Sequence, residues 1–181
     1  KSGHFICSKS GQFYLLTTYC FVNLTELFYS ATILTMASKG FFITGTDTGV
    51  GKTFVAAGIS AVLKEKGINI GVMKPVETGC PEKDGRLEPQ DALYLKNAAG
   101  VSDVLDLINP YRFKAPLAPS IASRKEGKTV ELHRIKECYD KLASQHNLML
   151  VEGAGGLLTP LNENETVADL IKLLNLPIII I

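Results

Sequence analysis

The sequence predicts an α/β fold in three layers: a mainly parallel sheet with helices on both faces. Three observations lead there. Short apolar runs of strand length, GFFIT at 40–44, INIGVMK at 68–74 and NLMLV at 147–151, alternate with segments whose apolar residues recur every three to four positions. That alternation is the pattern of parallel sheets, because each crossover between parallel strands lays a helix across one face. The first strand also opens directly onto a glycine-rich turn and then a helix. In open parallel sheets ligands gather at the carboxyl ends of the strands.

Each element has a local reason. From Lys52 onward, Val55, Ile59, Val62 and Leu63 make one apolar helix face, and Gly67 ends it. The strand at 68–74 stops at Pro75. Residues 75–90, dense in Pro, Gly and charge, read as an exposed loop. Pro89 stands at a helix start with Asp91 in the first turn, and that helix runs to about Ala99. NPYRFKAPLAPS, 109–120, reads as irregular. Leu132, Ile135, Tyr139 and Leu142 predict a helix within 130–146, with His133 and His146 solvated on or near it. The strand at 147–151 continues to Glu152 and a second glycine-rich turn, GAGG. Val167, Leu170, Ile171 and Leu174 then form the inward face of another helix.

The 181 residues suffice for one such domain with a real core, but not comfortably for two. A hydrophobic content of 46%, a charged content of 20% and a net charge of +1 are those of an ordinary globular protein. They give no electrostatic case for nucleic acid or an acidic membrane surface. No apolar run reaches the ~18 residues of a transmembrane helix. Cys7, Cys20, Cys80 and Cys138 form no C-x-x-C pair and read as free thiols of a reducing compartment, which points to the cytoplasm.

Residues 1–35 differ from the rest. They show no sustained helical or strand period and no compact apolar run with a cleavage site, so a signal peptide is not expected. They read as a non-native or disordered extension, with Met36 as the natural start and 36–181 as the domain. The final LNLPIIII ends inside an apparent buried strand, which reads as a C-terminal truncation.

The chemistry centres on GTDTGVGKT, Gly45 to Thr53. The usual phosphate loop, G-x-x-x-x-G-K-[ST], would require its first glycine where Thr46 stands; Gly45 comes one residue early. Even so, a strand turning through glycines into a helix aims free amides, here around Gly49, Val50 and Gly51, at one spot where the helix dipole is positive. Lys52 can reach the β- and γ-phosphates of ATP, and the Thr53 hydroxyl can coordinate Mg²⁺. Asp91 and Glu152 could complete a metal site, since Mg²⁺ at phosphates takes one or two carboxylates. For Asp91, dipole complementarity at a helix start explains the residue equally well. Lys74, fixed at a strand end before Pro75, would join Lys52 in a doubly positive pocket for an anionic substrate, with Thr48 and Thr78 as neutral donors. Gly153, Ala154 and Gly155 follow Glu152 on the nucleotide side.

Read in order, GTDTGVGKT, GVMKPVETG, PQDALYL, NPYRF…PLAPSIAS…EG and LVEGAGGLLTPL resemble the dethiobiotin synthetase family, from about Gly40 to Ile181. The longer loop spacing is that family's own form of the phosphate loop. The resemblance implies a P-loop NTPase-like fold and an ATP- and Mg²⁺-dependent reaction joining 7,8-diaminononanoate and CO₂ (supplied as bicarbonate) into a cyclic urea. A carbamate and a carbamic–phosphoric anhydride are the implied intermediates. It further implies that Lys52 and the loop amides hold phosphates, Lys74 and Thr48 the carbamate, Thr78 the diamine, and Thr53, Asp91 and Glu152 the metal. The family acts as a homodimer, and its later segments supply adenine and substrate-carboxylate contacts. The 181 residues alone are therefore expected to be poorly active or inactive. Two rivals remain: the amide ligases of corrin synthesis, and partition-type switch ATPases. The latter carry a signature lysine five residues before the loop lysine, where this chain has Asp47.

Overall fold

The computed structural model describes residues 4–7, 13–17, 20–23 and 39–181. The chain divides into two compact units, Lys1–Ser38 and Lys39–Ile181. In the first, β1 (His4–Cys7), β2 (Phe13–Thr17) and β3 (Cys20–Asn23) form an antiparallel sheet in chain order. Strands thus occur where the sequence shows no sustained period, because runs of four or five residues are too short to establish one. The rest of the expectation for residues 1–35, and for Met36 as a start, lies outside the described residues.

The second unit is built on a four-stranded sheet in the order β11 (Ile178–Ile180), β4 (Gly40–Gly45), β10 (Leu148–Gly156), β5 (Ile70–Met73). Every neighbouring pair is parallel, as the alternation of elements predicts. Side chains alternate across the sheet. Phe42, Met73, Met149 and Val151 face one way and pack with α5 (Leu132–Ala143) and α6 (Val167–Leu174) in one core. Ile43, Val72 and Leu150 belong to the opposite parity and are equally buried, on the side of α1 (Lys52–Glu65) and α2 (Gln90–Ala99). The unit is therefore the expected P-loop NTPase-like sandwich.

Several expectations need correction. The final strand is parallel but not buried: β11 is the edge of the sheet, with Ile178 and Ile180 exposed. Residues 75–90 are not simply an exposed loop. β6 (Val76–Thr78) pairs in parallel with β9 (Tyr111–Phe113), and Val76 and Glu77 are buried. Only the following hairpin, β7 (Glu82–Lys83) and β8 (Arg86–Leu87), is exposed for most of its length, turning through Asp84 and Gly85 at positive φ. Segment 109–120 is likewise ordered. It contributes β9 and the start of α4 (Pro119–Lys125), preceded by the short α3 (Leu105–Ile108). Three-residue strands are stabilised by each other across the fold, so no local periodicity announces them.

His133 is exposed as expected, but His146 is not. Its side chain is only 8% exposed, with Nδ1 2.7 Å from Asn69 Oδ1 and Nε2 3.0 Å from Asp103 Oδ2. The ring fills the space that Gly71 leaves beside β5, where a Cβ would come within 2.5 Å of it. Among the described residues, no helix is long and apolar enough to cross a membrane.

Candidate active site

The carboxyl ends of β4 and β5 carry the glycine-rich loop and Lys74, as the sequence predicts. Glu152, however, lies within β10, which runs on through the expected glycine-rich turn to Gly156 because Gly156 pairs again with Gly45. The loop leaves β4 exposed from Thr46 to Val50 and enters α1 at Gly51. Gly49 and Gly51 have φ of 78° and 104°, which a side chain would strain. Gly51 gives α1 no side-chain cap, and no acidic residue occupies the helix's first turn. No side-chain cap or first-turn carboxylate therefore offsets the positive end of this helix, which suits it to an external anion. The Lys52 ammonium folds back and donates to the Asp47 carbonyl at 2.6 Å, while the Thr48 amide donates to Asp47 Oδ1 at 2.6 Å. Burial, and next the positive charge of Lys74, pull the Lys52 ammonium below its ordinary pKa.

Lys74 follows the last residue of β5, and both of its backbone polar groups are tied. Its amide donates to the Ile108 carbonyl at 2.8 Å, and its carbonyl accepts from Asn109 Nδ2 at 2.6 Å. Its ammonium donates to Glu152 Oε1 at 2.6 Å and Asp91 Oδ2 at 2.9 Å. Burial, the largest single influence, would lower the Lys74 pKa, but the two carboxylates together outweigh it and hold it above the ordinary lysine value. Thr53 Oγ1 donates to the same Glu152 oxygen at 2.7 Å. The other oxygen, Oε2, is buried without a hydrogen-bond partner. A buried carboxylate oxygen left bare is costly, so it calls for a cation or a donor arriving with a ligand.

The structure therefore brings Lys74, Asp91, Glu152 and Thr53 into one connected cluster beside the Lys52 loop. Thr48 and Thr78 are not hydrogen-bonded into it; Thr48 is exposed in the loop and Thr78 ends β6 half-buried. After Glu152, β10 shifts register against β4, pairing Glu152 with Ile43 and then Gly156 with Gly45. Gly153 lies against Phe42, where a Cβ would come within 2.8 Å of the ring, and Gly155 has φ 65°. Ala154 between them is half-buried. Among the described residues, no group of three or more His, Cys, Asp or Glu side chains is spaced to hold a metal. The candidate donors are two carboxylates and a hydroxyl, a set that suits a hard cation completing its shell with phosphate oxygens and water.

Sequence reasoning missed Glu77. Its carboxylate is buried, and its two oxygens accept the amides of Asp91 and Ala92, each at 3.0 Å. Burial raises the Glu77 pKa, and these two amides oppose the shift. The residue sits in a segment whose Pro and Gly content points to a loop. The one available signal was a carboxylate between two β-branched residues, Val76 and Thr78.

Fold and loop together define a P-loop nucleotide-binding α/β domain. Residues 39–181 match the family model described as an AAA domain, and the chain belongs to that family. It is similar to the ATP-dependent dethiobiotin synthetase of Thermodesulfovibrio yellowstonii, with 46% identity covering 78% of this chain and 62% of that one. The enzyme of the same name from Bacillus licheniformis is 46% identical, covering 79% and 60%. That of Methanococcus vannielii is 41% identical, covering 77% and 63%. The chain thus spans less than two thirds of the length of these relatives.

Proposed function

We propose that the protein is an ATP-dependent cyclo-ligase that makes dethiobiotin from 7,8-diaminononanoate and CO₂. The observation that carries this reading is the buried ammonium of Lys74, held by Glu152 and Asp91 beside the phosphate loop. The partition-type ATPases carry their second lysine within the loop, where this chain has Asp47, and need none at the end of β5. An anionic nucleophile approaching the γ-phosphate needs one.

On this reading Lys52 and the amides from Gly49 to Gly51 hold the triphosphate. Lys74 and Thr48 hold the carbamate that one substrate amine forms with CO₂ on losing a proton, and Thr78 orients the diamine. Gly153, Ala154 and Gly155 let backbone approach the nucleotide. Thr53, Asp91 and Glu152 would hold Mg²⁺, and the bare Oε2 of Glu152 supports that fit. When bound, the ion supplies charge neutralisation between phosphate oxygens.

The carbamate oxygen attacks the γ-phosphorus as ADP leaves, giving a mixed carbamic–phosphoric anhydride. The second amine then attacks the carbamoyl carbon, phosphate departs, and the amine proton is released. Lys52 and Lys74 offset the repulsion of two anions in the first step. Removing one such preorganised donor typically costs about 10²–10³-fold in rate. The same reading takes the enzyme to be a cytoplasmic homodimer.

The test is phosphate release from ATP by the full-length protein with Mg²⁺, with and without diaminononanoate and bicarbonate. Release should require both and fall about 10²–10³-fold in Lys74→Ala. Release indifferent to both co-substrates overturns the reading.

A further inference from the structure

We propose that Glu77 is a positioning residue: it sets Asp91 toward the metal and Lys74 by binding the N-terminus of α2 from a different strand. The inference rests on the assignment of Asp91 to the metal site.

A helix start needs its first amides satisfied, usually by the N-cap side chain. In α2 the N-cap residue is Pro89, which offers none, and the first-turn acid is Asp91. Asp91 could have served the helix end itself. Instead both oxygens of Glu77 take the amides of Asp91 and Ala92. The anion that α2 requires thus comes from fourteen residues earlier in the chain. The Asp91 carboxylate is thereby released from that duty, and its Oδ2 turns to the Lys74 ammonium.

Glu77 is itself firmly placed. Its strand pairs with β9 through Glu77 and Arg112, and its carbonyl accepts the Cys80 thiol at 3.7 Å. Lys74 and Thr78 flank it on the same short segment. One buried carboxylate therefore fixes the spacing between that segment and the helix bearing Asp91. Partners of this kind, one step removed from the metal, commonly govern its affinity by about 10–100-fold.

The experiment uses the full-length protein with ADP and measures Mn²⁺ affinity by the loss of free-ion EPR signal, alongside thermal unfolding. Glu77→Ala, Glu77→Gln, Asp91→Asn and the double variant Glu77→Ala/Asp91→Asn are compared. We expect Glu77→Ala and Asp91→Asn each to weaken Mn²⁺ by about 10-fold or more, and the double variant to bind no more weakly than Asp91→Asn. Glu77→Gln keeps the shape and one acceptor. It should fold even if the alanine variant does not, and still lose affinity about threefold or more, a fraction of the same range. Parent-like Mn²⁺ affinity in a Glu77 variant with a lowered melting point would make Glu77 a helix cap only and overturn the inference. Unchanged affinity in Asp91→Asn would instead overturn the metal assignment beneath it, and the inference with it.

Discussion

Replacing Lys74 with alanine strands a charge, and the structure sets the size of the loss. The Lys74 side chain is 5% exposed and that of Glu152 1%, whereas that of Asp91 is 42% exposed. The Asp91 contact is screened by water and contributes at most ~1 kcal/mol. The Glu152 contact is different. Removing one partner of a buried pair leaves the other uncompensated, at a cost of ~3–5 kcal/mol. Thr53 Oγ1 alone remains to serve Glu152. For a protein of this size that corresponds to a fall in melting temperature of roughly 10–15 °C. Urea unfolding of the parent, Lys74→Ala, Glu152→Gln and the double variant checks it. The double variant should be more stable than the sum of the single losses by ~1 kcal/mol or more, because the second change removes the charge the first exposes. A loss below ~1 kcal/mol in Lys74→Ala, or additivity within ~0.5 kcal/mol, would refute the reasoning.

Two more outcomes follow from buried and capping groups. Cys80 is 2% exposed, and burial pushes its thiol up to about 11. Iodoacetamide at pH 8 should leave Cys80 unmodified in the native protein and label it in denaturant, as peptide mapping would show; native labelling would contradict the burial. Asp169 accepts the amide and hydroxyl of Thr166 at the start of α6, which lowers its carboxyl below the ordinary 3.8. A lowered folded pKa means stability that is present above the unfolded value and lost as pH falls through the folded one. The destabilisation of Asp169→Asn measured near neutrality should therefore shrink as the pH drops below 3.8, and a constant difference down to strongly acidic pH would rule the capping charge out.

What the sequence made legible was what local chemistry determines. The loop was readable because a strand, three glycines and an amphipathic helix follow one another without a break. Lys74 was legible because Pro75 stops its strand, and Glu152 because it closes the apolar run of β10, although that strand runs on through the glycines to Gly156. Parallel pairing, with Val151 opposite Met73, then sets the two residues side by side. Their direct ion pair was not readable, since a separation of 78 residues carries no local signal. Glu77 was lost for a related reason. Its strand has three residues and its partner strand lies beyond Asn109, so neither alternation nor length distinguished it from a loop. His146 looked solvated because its helix ends before it. Its partners, Asn69 and Asp103, come from two other segments.

The register shift of β10 bears on how the phosphate loop can move. Gly156 pairs with Gly45, so closely that a Cβ on Gly156 would stand 3.1 Å from the Gly45 carbonyl oxygen. On the opposite side, the Thr46 amide donates to the Ile181 carbonyl at 3.0 Å, and the Ile181 amide donates to the Thr44 carbonyl at 3.1 Å. The root of the loop is thus gripped by a strand on each flank, and its far end is seated in the first turn of α1. An arch fixed at both footings bends only at its crown. Here the crown is residues 47–50, and any reshaping to admit a triphosphate falls on those four residues while the paired footings at Gly45 and Thr46 hold.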